Sequence, residues 1–317
     1  MNTQLKSRSA APKKQKASRK ALRESISMGT LAIPGVLLLL LFNYAPMIGN
    51  IIAFKRYKPL KGIFGSDWNG LENFKFFFTS ADAVRTIRNT ILYNFSFMVL
   101  GTILAVSLAL MFYSLRNAKA LKVYNTVILI PRFLSAVVVA FLAEIFLHPR
   151  YGLLNQLLLS TGGSNVDWYT VSDAWPYILT FVYLWGHIGV MSVIYYAALM
   201  GLDDGLLEAS RLDGANKWHQ IWHVMIPHLV PTIVIQNILS IGKLFTGDFG
   251  LFYQVPKDTG ILYPVTDIIN TYTYRALQSG DMSRGAAVGL FQSVAGLITV
   301  VIANYIVKKI NPENSLF

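Results

Sequence analysis

Six segments of the chain are long enough and apolar enough to cross a lipid bilayer as helices: 28–54, 89–113, 123–147, 176–200, 229–249 and 284–307. About 20 helical residues span the ~30 Å of hydrocarbon. Only 14% of the 317 residues are charged and 54% are hydrophobic, whereas a soluble domain carries about 25% charged residues. Because a spanning helix satisfies its own backbone polar groups, the sequence predicts an all-α integral membrane protein of about six transmembrane helices.

Two of these segments depart from a plain apolar helix. The third contains Pro131, Arg132 and Glu144, and the fifth is the most polar of the six. Pro34 and Pro46 are expected to bend the first helix, which neighbouring helices can accommodate. A basic stretch precedes this helix, as in a secretory signal, but the apolar run is too long for one and no small-residue cleavage site is evident. The first segment is therefore predicted to remain as a helix.

The basic residues are concentrated at the N-terminus. Of the 28 Lys and Arg residues that give a net charge of +12, eight lie within the first 23 positions. The others are scattered between apolar runs and form no basic stripe, which argues against nucleic acid as a partner. Residues 1–27 are predicted to form a basic cytoplasmic tail that faces anionic lipid headgroups. Cysteine is absent, which excludes disulfides, thiolate catalysis and Cys-based metal sites.

The distribution of charge between loops predicts the orientation. If the N-terminus lies in the cytoplasm, the tails and loops on the cytoplasmic side carry 15 Lys and Arg residues and 6 Asp and Glu residues. The loops on the outer side then carry 11 Lys and Arg residues and 9 Asp and Glu residues. Four basic residues of the first outer loop oppose this orientation: Lys55, Arg56, Lys58 and Lys61. The bias predicts cytoplasmic termini, a transmembrane domain at 28–310 with a cytoplasmic loop at 201–228, and a short C-terminal tail at 311–317.

The loop at 201–228 is the most informative stretch. Residues 205–213 carry a stripe of apolar side chains at helical spacing: Leu206, Ala209 and Leu212. Gly214 follows, with a backbone that can reach positive φ. A second stripe comes next: Trp218, Ile221, Trp222 and Met225. Pro227 is expected to end it, so the pattern predicts two short helices joined at a glycine.

This loop resembles the conserved cytoplasmic loop of binding-protein-dependent, ATP-driven (ABC-type) import permeases. That loop reads E-A-A, three residues, G, then about nine residues and I-x-L-P. The matching residues are Glu208, Ala209, Gly214 and the Ile226-Pro227 end. Ser210 replaces the second alanine, and Met225 occupies a neighbouring aliphatic position, both mild departures.

Other motifs, in the same order along the chain, are similar to the sugar-importing branch of that family. They are Gly70-Leu-Glu-Asn-Phe74, Asn89-Thr90, Gly152-Leu-Leu-Asn155, and Asp213-Gly214-Ala215 followed by Trp218. The overall pattern is closest to bacterial polysaccharide permeases that import lipo-oligosaccharide, pectin-fragment or alginate chains.

In that family the loop forms a coupling helix that docks in a groove of the ATPase subunit. The resemblance therefore implies these ATPase-coupling residues: Glu208, Ala209, Ser210, Asp213, Gly214, Ala215, Ile226 and Pro227. An ordinary amphipathic interfacial helix is the alternative.

The resemblance also implies the type I importer permease fold in the bacterial cytoplasmic (inner) membrane, working by alternating access. The implied partners are a second homologous permease or a second copy, two ATP-binding subunits, an extracytoplasmic solute-binding protein, membrane lipid and an oligosaccharide substrate. ATP and Mg would bind the partner ATPase, and this chain would bind no cofactor.

Ionisable and polar residues at membrane depth usually face a partner, a cavity or a pathway. The candidates for the substrate path are Arg132, Glu144, His187, Gln236, Asn237, Lys243 and Asp248. If the substrate is an anionic sugar chain, Arg132 and Lys243 can donate charge-assisted hydrogen bonds to its carboxylates. The alternatives are helix-to-helix pairing, such as Arg132 with Glu144, and snorkelling of the charged groups to the membrane interface. Several aromatic residues are predicted to form an interfacial belt or to pack against lipid rather than to stack on a sugar ring: Trp175, Tyr177, Tyr183, Trp185, Tyr195 and Tyr196.

The chain lacks the common catalytic motifs. It has no G-x-x-x-x-G-K-[ST] phosphate loop, no H-E-x-x-H and no G-x-S-x-G. His219 and His223 lie four apart but have no carboxylate or cysteine to complete a metal site. The sequence therefore predicts a non-catalytic transport subunit. The alternatives are a permease for a non-sugar solute, an autonomous carrier, and a membrane receptor or enzyme.

Overall fold

The computed structural model describes residues 29–30, 32–115 and 117–312. The described residues form two compact units, one ending at Asn50 and the other beginning at Ile51. The predicted basic tail at 1–27 and residues 313–317 of the predicted C-terminal tail lie outside the described residues. The proposed division into tails and a transmembrane domain therefore stays a prediction.

In chain order the helices are α1 (Ala32–Phe54), α2 (Gly62–Gly65), α3 (Glu72–Thr79), α4 (Ala81–Ser114), α5 (Ala118–Leu129), α6 (Ala136–Leu147), α7 (Leu153–Ser160), α8 (Trp175–Leu199), α9 (Asp204–Leu212), α10 (Lys217–Gln220), α11 (Ile226–Ile241), α12 (Phe249–Gln254), α13 (Tyr263–Thr266), α14 (Ile269–Gln278) and α15 (Met282–Ile310). Short 3-10 turns lie at Pro59–Lys61, Ile130–Phe133, Ser172–Ala174 and Gly260–Leu262. Within α1, a π-turn at Leu40–Tyr44 leads into a 3-10 stretch at Ala45–Phe54.

Within the described residues, five helices are long and apolar enough to cross a membrane, and a bent pair forms a sixth candidate. The five are Ala32–Phe54, Ala81–Ser114, Ser172–Leu199, Lys217–Ile241 and Met282–Ile310. The prediction of an all-α protein with about six transmembrane helices is confirmed.

The third predicted segment is broken rather than continuous. Its two parts, α5 with the following 3-10 turn and then α6, meet at an angle of 100°. Pro131 lies in that turn and has no backbone N–H to continue the helical ladder. Ser135 then starts α6 as an N-cap, because its hydroxyl accepts a hydrogen bond from the Val138 N–H at 3.3 Å. The expected single helix over 123–147 is therefore wrong, and the break leaves Arg132 in a turn.

The fifth segment also differs from its prediction. The expected range was 229–249, but one apolar helix runs over Lys217–Ile241, through α10, a π-turn at Ile221–Met225 and α11. Pro227 lies in the first turn of α11, directly after the π-turn, so its missing N–H does not stop the helix. The expectation that Pro227 ends a short helix is wrong. Because the helix ends at Ile241, Lys243 lies in the turn after it and Asp248 lies at the start of α12.

The core of the second unit is built around α4 and α8. One cluster of buried apolar side chains joins them to α6 and α12 and includes Phe97, Leu147, Trp175, Leu179 and Phe252. A second cluster joins them to α11 and consists of Ala105, Ala109, Tyr195, Leu199 and Leu229. Trp175, Leu179, Leu199 and Leu229 have no measurable exposure. The predicted interfacial role is therefore wrong for Trp175 and Tyr195, which lie in the core.

Gly189 allows α8 to approach α5 closely. A Cβ atom at this position would lie 2.2 Å from the Ile128 carbonyl oxygen. We expect Gly189→Ala to destabilise the protein by about 1–3 kcal/mol, because the helices must separate to admit a methyl group. Gly186→Ala is the matched control on the same helix, since nothing lies within 4 Å of its Cβ position. Thermal unfolding of the purified variants in detergent measures both, and equal melting temperatures would contradict the prediction.

Local contacts in the first loop after α1 hold three of the four basic residues that oppose the orientation predicted from charge. The strands β1 (Lys55–Arg56) and β2 (Asp67–Trp68) pair antiparallel. Lys58 and Lys61 both contact the Asp67 carboxylate, at 3.0 Å and 3.2 Å, and they hold the pKa of Asp67 below its usual value. Lys55 is buried and donates hydrogen bonds to two backbone carbonyls. These positive charges are held by local contacts.

The asparagines of the sugar-branch motifs fix the loops. Asn73 donates to the Ala53 carbonyl in the last turn of α1 at 2.8 Å and to the Lys55 carbonyl in β1 at 3.0 Å. Asn89 donates to the Asp267 carbonyl at 3.0 Å, and Asn155 donates to the Val166 carbonyl at 2.7 Å. All three amides are almost fully buried. These motif residues therefore hold the loops in place rather than face a cavity.

A buried carboxylate joins α4 to α14. The Asp267 side chain has no exposed surface, contacts the Arg85 guanidinium at 2.8 Å and forms a second ion pair with Arg275. Thr271 also donates a hydrogen bond to it at 2.8 Å. Arg275 in turn contacts Asp258 at 2.9 Å. This network ties the loop between α11 and α15 to the start of α4.

Candidate functional site

A polar cavity of about 480 Å³ lies between α4, α8, α11 and the break in the third segment. Five of the seven predicted substrate-path residues line it: Arg132, His187, Gln236, Lys243 and Asp248. A neighbouring cavity of about 230 Å³ shares Arg132, Tyr183, His187 and Asp248 with it. The structure thus brings together residues that the sequence marked only one by one.

Arg132 is held at one wall of this cavity by His187. Its Nη1 atom lies 2.9 Å from His187 Nε2, and His187 Nδ1 lies 2.9 Å from the Tyr183 carbonyl oxygen. Because a guanidinium only donates, Nε2 accepts and Nδ1–H donates to the carbonyl. The neutral Nδ1–H tautomer of His187 therefore fits both contacts.

Stacked rings support that histidine. The His187 and Tyr183 rings are stacked with centroids 4.1 Å apart, and Tyr183 stacks on Phe97 at 3.8 Å. Both faces of the Tyr183 ring are covered by its two neighbours, so this ring offers no open face for a sugar ring. The interfacial-belt interpretation of Tyr183 is wrong, because Tyr183 lines this cavity.

The charged side chains that line the cavity differ in the contacts that they make with the rest of the protein. Among the described residues, no Asp or Glu lies within ion-pair distance of Arg132 or Lys243. Asp248 caps α12, where its carboxylate accepts from the Leu251 N–H at 3.0 Å. Two cations without carboxylate partners therefore face a polar space beside one carboxylate, which favours an anionic ligand.

Glu144 does not line either of these cavities. Its carboxylate pairs with Lys257 at 2.6 Å, and Lys257 lies over the Tyr169 ring at 5.1 Å. Burial and the Glu144 charge raise the pKa of the Tyr169 phenol to about 12. The alternative pairing of Arg132 with Glu144 is not formed.

Asn237 lies beside the cavity instead of in its lining. Its Oδ1 accepts a hydrogen bond from Thr102 Oγ1 at 3.2 Å, which joins α11 to α4. The sequence analysis also missed Asn94, which lines the cavity and donates to the Leu244 carbonyl at 3.0 Å. A polar amide inside an apolar helix was the available signal for Asn94.

The 201–228 loop forms a short helix with defined ends. Asp203 starts α9, accepting from the Gly205 N–H at 2.9 Å. Gly214 ends it with φ of +83°, and the Ala215 N–H reaches back to the Ser210 carbonyl at 2.9 Å. This is a Schellman arrangement, which requires the left-handed backbone that glycine adopts readily.

A buried glutamine joins α9 to the next helix. Gln220 is 5% exposed, and its Nε2 donates to Ser210 Oγ at 2.9 Å and to the Leu207 carbonyl at 3.3 Å. Ser210, the departure from the family pattern, is thus the acceptor of this bond. Four other members of the predicted coupling set are exposed: Glu208, Ala209, Asp213 and Gly214. Ala215 is half-buried, and Ile226 and Pro227 are the first two residues of α11.

The exposed apolar face of this loop is large. Leu206, Leu212, Trp218 and Trp222 are 55%, 90%, 70% and 61% exposed. Such a patch marks a protein or membrane contact. His219 and His223 stack 5.7 Å apart, and the described residues include no group of three potential metal ligands.

Comparison with known proteins gives consistent matches along most of the chain. Residues 98–312 match the family model described as a binding-protein-dependent transport system inner membrane component. The chain is 33% identical to protein LplB of Bacillus subtilis over 294 residues, 92% of each chain. It is 35% identical to the polygalacturonan/rhamnogalacturonan transport system permease protein YteP of the same organism, covering 89% of this chain and 88% of that one.

A solved structure also matches. One chain of a bacterial ABC transporter involved in the import of the acidic polysaccharide alginate superposes with a TM-score of 0.83 and 29% identity, covering 92% of this chain and 98% of that chain. A second structure of a bacterial alginate ABC transporter, in complex with a periplasmic protein bound to alginate pentasaccharide, matches with the same score. The resemblance to sugar-branch import permeases and the predicted type I permease fold are both confirmed.

Proposed function

The chain belongs to the family of binding-protein-dependent transport system inner membrane components, and on that premise we propose that it moves an oligosaccharide or polysaccharide into the cytoplasm as one permease of an ATP-driven importer. Family membership makes it a non-catalytic transport subunit of the inner membrane and excludes the receptor and enzyme alternatives. The polar cavity carries the proposal, because amide, hydroxyl and charged groups converge there between apolar helices. Hydroxyl-rich sugars need such donors and acceptors.

We propose further that the cargo carries carboxylates. The supporting observation is that Arg132 and Lys243 line the cavity without a carboxylate partner among the described residues. A uronate chain supplies the missing acceptors and gains charge-assisted hydrogen bonds. The relatives named for polygalacturonan and alginate transport are consistent with this substrate class. The other candidates then have lesser parts, with His187 positioning Arg132 and Gln236 and Asp248 offering neutral and acceptor contacts.

The 201–228 loop is proposed to meet the ATPase on the cytoplasmic side. The supporting features are the rigid capping of α9 and the exposed Glu208, Leu206 and Leu212 on its surface. The loop continues directly into the transmembrane helix at Lys217–Ile241. Movement of the ATPase can therefore reach the cavity through one helix, which suits alternating access. ATP and Mg bind the two ATPase subunits, and a second permease and a solute-binding protein complete the complex.

The proposal is tested by reconstitution. The tagged chain is purified from its native membranes in mild detergent with whatever accompanies it, and the complex is placed in vesicles with its binding protein. Uptake of a uronate oligosaccharide is measured with and without ATP, beside a neutral oligosaccharide of the same length. ATP-dependent uptake of the uronate chain supports the proposal. Recovery of the chain without an ATPase, or equal uptake with and without ATP, would refute the proposal.

Gly214 gives a specific prediction for the coupling role. We expect Gly214→Ala to lower ATP-driven uptake severalfold, because an alanine at φ of +83° costs about 1–2 kcal/mol and loosens the end of α9. No atom lies within 4 Å of its Cβ position, so the effect comes from the backbone and not from a clash. Gly214→Asn is the matched control, since asparagine tolerates this conformation. Equal uptake by the two variants would contradict the prediction.

A further inference from the structure

The connection between α11 and α12 forms one wall of the polar cavity. Residues 242–248, which we name the cavity turn, place Lys243, Thr246, Gly247 and Asp248 in the lining. Lys243 and Asp248 carry opposite charges and lie near the two ends of the turn. The conformation of this backbone therefore decides where two of the charged groups of the cavity stand.

One side of the cavity turn is held by α4. Asn94 Nδ2 donates to the Leu244 carbonyl at 3.0 Å and to the Thr246 carbonyl at 3.3 Å. Backbone carbonyls that leave a helix need donors from elsewhere, and Asn94 supplies them from a neighbouring helix. Because Asn94 also lines the cavity, it is part of the wall as well as a support for the turn.

The other side is held by two amides outside the cavity lining. Gln292 on α15 donates through Nε2 to the Phe245 carbonyl at 2.7 Å and to Asn270 Oδ1 at 2.8 Å. Asn270 Oδ1, on α14, also accepts a hydrogen bond from the Gly247 N–H at 2.9 Å. Together with Asn94, these amides fix three successive carbonyls of the turn and the N–H that follows them.

This support accounts for two opposite charges that do not neutralise each other. No ion pair joins Lys243 to Asp248, although both line the cavity. A lysine ammonium sits on a flexible four-carbon stem, so a free turn would let it reach the carboxylate. The fixed turn keeps Asp248 at the cap of α12, where it accepts from the Leu251 N–H at 3.0 Å. The Lys243 ammonium stays available.

We propose that Gln292 and Asn270 are positioning residues for the cargo site: by fixing the cavity turn, they keep the Lys243 ammonium apart from Asp248 and available to a carboxylate of the cargo. This inference rests on the proposed uronate cargo. Neither residue lines the cavity, and each acts through Lys243. Loss of either support lets Lys243 pair with Asp248 and removes the charge that a uronate needs, whereas a neutral saccharide does not depend on that charge.

The first test removes the support without emptying its space. Gln292→Met deletes the amide at nearly the same side-chain volume. We expect the half-saturating concentration of a uronate oligosaccharide in ATP-driven uptake to rise about fivefold to tenfold, while the maximal rate and the uptake of a neutral oligosaccharide stay unchanged. Asn270→Ala should give the same result from the other half of the support. Gln278→Met is the matched control, because this exposed amide on α14 donates only to the Tyr274 hydroxyl.

A double variant shows whether the support acts through the ammonium. When Gln292→Met is added to Lys243→Gln, the half-saturating concentration for the uronate should rise no further than in Lys243→Gln alone. A purely structural role would lower the uptake of both saccharides and would add to the loss in Lys243→Gln. Either of these results, or a reduced amount of complex in both Gln292→Met and Asn270→Ala, would overturn the inference.

A spectroscopic measurement separates this inference from the proposed cargo. The chain has no cysteine, so Lys243→Cys accepts a single nitroxide label in a complex whose other subunits carry no reactive cysteine. We expect Gln292→Met to increase the mobility of this label and to leave a label on Lys75→Cys, in α3, unchanged. An unchanged label at position 243 would contradict the support. Equal uptake of uronate and neutral chains by the wild-type complex would contradict only the cargo.

Discussion

Asp267→Asn is expected to lower the free energy of unfolding by about 3–5 kcal/mol, because it removes one partner of a buried ion-pair network. The Asp267 carboxylate lies between Arg85 and Arg275 and has no exposed surface. An asparagine of the same shape leaves two guanidinium groups facing each other without the charge that compensates them. Asp82 and Asp258 also contact these arginines, but both are partly exposed.

The measurement is the thermal unfolding midpoint of the purified complex, together with the amount of chain in the membrane. Asp67→Asn is the matched control. It makes the same chemical change in a carboxylate that also contacts two cations, Lys58 and Lys61, but at the surface. Exposed ion pairs contribute little, so the control midpoint should stay at the wild-type value. A wild-type midpoint for Asp267→Asn would show that the network does not stabilise the loop.

The membrane helices could be predicted because their signal is local. A run of about 20 apolar residues has few alternatives to a spanning helix, and the structure retains these helices. The sharp break in the third segment could not be predicted in the same way. Proline in a membrane helix is often accommodated as a kink, and only the 3-10 turn together with the Ser135 cap produces the 100° angle.

The candidate cavity was predictable in part. The cost of polar groups in lipid marked Arg132, His187, Gln236, Lys243 and Asp248, and these line one space. The same rule cannot tell a cavity residue from one satisfied by a distant partner. Glu144 meets Lys257 only after the chain has folded, and Asn237 meets Thr102 in the same way.

The end of the loop helix was misjudged for a related reason. Pro227 reads as a stop when only the local pattern is considered. The structure continues the helix because a π-turn at Ile221–Met225 precedes the proline, which then sits in a first turn where its missing N–H is tolerated. The Gly214 turn was predictable, since its conformational requirement is local.

Removal of the Lys243 charge is expected to reduce uptake of a uronate oligosaccharide about 10-fold to 100-fold. A hydrogen bond to a charged group contributes about 1.5–3 kcal/mol, and about 1.4 kcal/mol corresponds to a factor of ten. Lys243→Gln removes the charge from a side chain that has no ion-pair partner among the described residues. The loss should therefore fall on the cargo and leave the amount of assembled complex unchanged.

Arg132→Gln is expected to reduce uronate uptake by a similar factor, but it should also reduce the uptake of neutral chains. Arg132 also donates to His187, so its loss frees the ring that Tyr183 stacks against and lowers uptake of neutral chains as well. Lys243→Arg should retain most uronate uptake because the charge stays. Lys75→Gln, at an exposed position on α3, is the matched control for loss of a positive charge away from the cavity. Equal losses for uronate and neutral chains in Lys243→Gln, or a reduced amount of complex, would mean that Lys243 supports the fold instead of binding a carboxylate.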